Sequence, residues 1–114
     1  MVKIELGKAY VDNCGVVICV YSHNPNTPKG LAFDYSDFVY TTMCLGSGEW
    51  YITFYSTYNT KGQFDIKPGP RDVIREATLE ELENALSRYK LRLCTTDANE
   101  IVSKFYEAWK KHNP

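Results

Sequence analysis

Long hydrophobic runs are missing from this sequence, and so is any strong excess of charge of one sign. No apolar stretch in the 114 residues approaches the roughly 20 needed to span a bilayer. The opening segment Met1–Leu6 alternates polar and apolar residues and carries Glu5, so it does not read as the apolar core of a secretory signal. Formal net charge is −1. Residues 1–70 hold five Lys/Arg against six Asp/Glu, and residues 71–114 hold eight against eight. That balance excludes a basic nucleic-acid-binding domain, although it leaves room for a local patch. The chain has only two histidines, His23 and His112, and four scattered cysteines, Cys14, Cys19, Cys44 and Cys94. No two cysteines are spaced as CxxC, which argues against both a paired zinc framework and a dense disulfide scaffold. Free thiols in a reducing cytoplasm are the expectation. No internal repeat, low-complexity tract or linker divides the chain.

What is present is ordinary globular composition, 44% hydrophobic and 24% charged, in a length that fits one domain, residues 1–114. Residues 8–22 read as a hairpin. Lys8-Ala9-Tyr10-Val11 leads into Asp12-Asn13-Cys14-Gly15, where Asx residues and a glycine suit a tight turn. The run Val16-Val17-Ile18-Cys19-Val20-Tyr21 is apolar without alternation, which predicts a central strand covered on both faces. His23–Gly30 holds two prolines and a glycine, so it is a loop. Phe38–Leu45 and Glu49–Thr57 form a second hairpin around Gly46-Ser47-Gly48. Alternation there puts Met43 and Leu45 on one face and Tyr40, Thr42 and Cys44 on the other. Tyr58–Gly62 is the next turn, Gln63-Phe64-Asp65-Ile66 a further short strand, and Pro68-Gly69-Pro70 the end of the sheet.

The period then changes. Thr78-Leu79-Glu80-Glu81 fits a capping box, and Leu79, Leu82, Leu86, Tyr89 and Leu93 follow at helical spacing. Asp97-Ala98-Asn99-Glu100 fits a second box, before the stripe Ile101, Val102, Phe105, Ala108 and Trp109. Leu91–Thr95 could be a short strand between the helices. The predicted fold class is α+β: a small antiparallel sheet over residues 1–70, strongly bent or closed as an SH3-like barrel, followed by two C-terminal helices over residues 71–114.

Chemistry-bearing patterns are thin. A cysteine nucleophile would need a base, and no spacing ties His23 or His112 to a particular thiol. Cys14, Cys19 and His23 lie close in sequence, but a structural zinc site would need a second ligand pair. Asp34 and Asp37 flank a short loop segment, while Glu80, Glu81 and Glu83 belong to a helix start, where carboxylates suit the dipole. Gly46-Ser47-Gly48 lacks the length and the Lys-Ser/Thr of a phosphate loop. No catalytic residue, metal or cofactor is assigned.

Nine tyrosines stand out. Tyr40, Tyr51 and Tyr55, joined by Tyr35 and Tyr58, could share the outward side of the sheet. With His23 and Lys29 of the neighbouring loop they form the candidate binding set. Tyrosine offers large contact area at low entropy cost, which suits a protein partner or a second copy of the chain. Aromatic sheet faces also stack bases, with Lys29, Lys61 and Lys67 available for phosphates, but neutral charge disfavours nucleic acid. The plain alternative is that Tyr and Thr are good strand formers on a face the helices cover.

Several segments resemble small phage- and prophage-encoded accessory proteins. The resemblance rests on Ile4-Glu5-Leu6-Gly7-Lys8-Ala9-Tyr10 with Gly15, on Tyr58–Phe64, and on Gly69-Pro70-Arg71-Asp72-Val73-Ile74-Arg75-Glu76-Ala77. The basic turn of those proteins is replaced here by Val11-Asp12-Asn13-Cys14-Gly15, so no role of its arginines carries over. The resemblance implies a compact β-rich domain in a bacterial host that acts by contact, such as an inhibitor of a host or defence protein.

Overall fold

The computed structural model describes residues 3–23, 37–46, 52–90 and 96–112, with side chains except at 52–55, 88–90, 96–99 and 112. Five strands and two helices follow in order: β1 (Ala9–Asp12), β2 (Val17–His23), β3 (Tyr40–Leu45), β4 (Ile52–Tyr58), β5 (Val73–Glu76), α1 (Leu79–Lys90) and α2 (Thr96–His112). The strands make one antiparallel sheet in the order β4-β3-β2-β1-β5. This is the α+β architecture that the sequence predicts, but the sheet is open. β5 pairs with β1, leaving β4 and β5 at opposite edges, so the SH3-like closure is not present.

Two boundaries also move. The strand expected at Gln63–Ile66 is a series of bends, because side chains take the donors a ladder would use. The Asn59 Oδ1 accepts the Gln63 N–H at 2.9 Å, and the Asp72 carboxylate accepts the Phe64 N–H at 3.1 Å. The fifth strand is instead Val73–Glu76, inside the part expected to be helical.

β2 is central and Val17–Tyr21 are all buried, as an apolar run without alternation requires. Its alternate residues feed two cores. On one face Val17, Cys19 and Tyr21 join Met43 and Leu45 under the helices, against Leu82, Leu86, Ile101, Val102 and Phe105. Each such side chain contributes roughly 1.5–3 kcal/mol on full burial. On the other face Ile18 and Val20 join Ile4, Tyr10, Cys44, Tyr58 and Val73. This second core is roofed by the chain itself. The segment before β1 crosses it, with Ile4 N–H donating to Thr60 O, and the 59–72 connection between the sheet edges adds Phe64.

α1 begins on the capping box. Glu81 N–H donates to the Thr78 Oγ1 at 3.2 Å, and Thr78 N–H donates to Glu81 Oε1 at 3.0 Å. Arg75 then clamps Glu81 with bonds of 2.7 and 2.9 Å, tying β5 to the start of the helix. α2 starts at Thr96, and the side chains of a box at Asp97–Asn99 lie outside the described ones, as does Leu91–Thr95.

Candidate binding surface

The register lines up His23, Tyr40 and Tyr58 across β2, β3 and β4. Three of the seven residues selected from the sequence therefore meet at one end of the sheet. They are not equally accessible. Tyr58 is completely buried; its hydroxyl donates to Arg71 O at 3.1 Å and its ring sits edge-on to Phe64, with centroids 5.5 Å apart. Arg71 stacks 3.6 Å from the Phe64 centroid and donates to the Ser56 Oγ. Burial pushes the Tyr58 phenol well above its ordinary value. Tyr58 is thus a structural residue rather than part of a contact surface. Tyr10 behaves alike: burial, partly offset by the Glu5 N–H on its hydroxyl at 2.9 Å, pushes the phenol up to about 12.

Tyr40 is half-buried and packs edge-on against the exposed His23, with centroids 5.1 Å apart and planes at 62°. Among the described side chains of the proposed binding set, this pair is the accessible part. Tyr35, Tyr51 and Lys29 lie outside the described residues; Tyr55 falls on β4 with its side chain outside them. Lys61 and Lys67 are exposed on the 59–72 connection. Base stacking needs adjacent open rings, and the Tyr58 ring is enclosed.

Among the described residues, the thiols of Cys14 and Cys19 do not meet His23. Cys19 is fully buried, and burial raises its thiol well above the ordinary value, the opposite of what a nucleophile needs. His23 lies four residues further along β2, about 13 Å away at a strand rise of roughly 3.3 Å per residue. Cys14 sits in the turn before β2, at the other end from His23. Among the described residues no three His, Cys, Asp or Glu side chains gather as metal ligands would.

A different surface opens on the helix layer. Leu79, in the first turn of α1, is 57% exposed. Beside it a groove of about 100 Å³ runs between Leu82 and Leu86 of α1 and Phe105, Tyr106 and Trp109 of α2. It continues into a cleft of about 280 Å³ over Lys8, Glu76 and Thr78, where the helices meet the β1–β5 edge. The leucine and aromatic stripes were legible as core. Their outer margin was not, since Leu79 and Trp109 share the same 3.6-residue period as the buried positions. The one signal was the position of Leu79, in the turn adjoining the cap.

No helix among the described residues is long and apolar enough to cross a membrane. Comparison of the chain with protein-family models, curated proteins and solved structures finds no significant match.

Proposed function

We propose that this chain is a non-enzymatic protein-interaction module, a phage or prophage accessory protein that acts by seating on a protein of the bacterial host. The observation that carries this reading is the groove between α1 and α2, with exposed Leu79 beside half-buried Tyr106 and Trp109. Aromatic and leucine side chains along an open groove are what a helix-binding or peptide-binding surface presents. A contact function also suits the separation of His23 from Cys14 and Cys19. Of the tyrosines that suggested a contact face, Tyr58 is held in the second core, whereas the helix groove presents its apolar side chains openly.

Capture from bacterial lysate, with the wild-type chain and Leu79→Asp as parallel baits, tests the reading. Leu79 is exposed enough for the variant to fold, which circular dichroism checks. The expected result is a host protein retained by the wild type and lost by the variant, and then bound by the purified wild type in direct titration. Identical captures by both baits, or none that rebinds when purified, would end the proposal.

A further inference from the structure

We draw no further inference here: the strongest candidate, the apolar groove between α1 and α2 beside the exposed Leu79, belongs to the surface already described, and nothing in the structure shows what covers it.

Discussion

Asp12 and Asn59 build the same five-residue turn. In each, the side-chain Oδ1 accepts the N–H two and four residues on: Cys14 and Val16 at 2.8 and 3.0 Å, Lys61 and Gln63 at 3.0 and 2.9 Å. In each, the backbone N–H of the Asx residue donates to the carbonyl four residues on, and a glycine at positive φ, Gly15 at +79° or Gly62 at +77°, donates back to the Asx carbonyl. The Asx oxygen satisfies the donors that a short reversal would otherwise leave open, and glycine takes the left-handed step. Asn59→Ala removes an acceptor from two backbone donors while the residue is buried, so it should cost about 2 kcal/mol in urea denaturation. Asn59→Asp keeps Oδ1 and forfeits the Nδ2 bond to the Gln63 Oε1, so its cost should be less than half of that. A Cβ at Gly15 would meet nothing within 4 Å, so Gly15→Ala isolates the backbone strain, about 1 kcal/mol. An Asn59→Ala cost near zero would mean that water replaces the side chain as acceptor.

At the junction of β5 with α1, the Glu81 carboxyl is clearly shifted from its ordinary value. Arg75 first, and then the Thr78 N–H, hold the Glu81 carboxyl at about 2, below its ordinary 4.5. A carboxyl depressed in the folded state stabilises the fold fully above the unfolded value and loses that contribution as pH falls through the folded one. Urea midpoints should therefore decline between about pH 5 and pH 2, and Glu81→Gln should flatten that decline and lower the midpoint at neutral pH. The same slope in both proteins would assign the acid sensitivity to other carboxylates. This junction also shows where the sequence stops being readable. The capping box at Thr78 was legible because its partners are three residues apart. The strand just before it was not: Val73-Ile74-Arg75-Glu76 has no alternation of its own, and it extends because β1, more than sixty residues earlier, supplies the other half of the ladder. The apolar runs of β2 and β3 were legible because burial on one or both faces writes itself into residue order. Gln63–Ile66 has the composition of a strand, yet Asn59 and Asp72 claim its N–H groups. Of the binding set, Tyr58 was misplaced because a tyrosine on a half-buried face reads the same whether solvent or the chain's own crossover lies beyond it.

At the scale of the whole molecule the sheet is a wall between two apolar cores, one closed by helices and one by the chain's own N-terminal segment and crossover. Cys19 and Cys44 report on them separately, since Cys19 lies in the helix-side core and Cys44 in the other. Both are buried, whereas Cys14 is exposed in its turn. In a Cys94→Ala background, a thiol reagent should modify Cys14 at once and leave the other two protected. If the sheet and its two roofs form one cooperative unit, as is usual for a domain of this size, Cys19 and Cys44 should then react at the same rate and with the same dependence on urea. The layers differ in how they are fastened, however. The helices hold by apolar contact and by the Arg75–Glu81 clamp, while the crossover holds by backbone bonds into the sheet, including Val73 N–H to Gly62 O at 2.8 Å. Site-resolved labelling by mass spectrometry distinguishes the two outcomes. Faster reaction of Cys19 would show the helix layer lifting while the sheet stays closed, and the groove would then belong to a layer that moves as it binds. Equal rates would make it a rigid site, set by the same cooperative fold that buries the tyrosines.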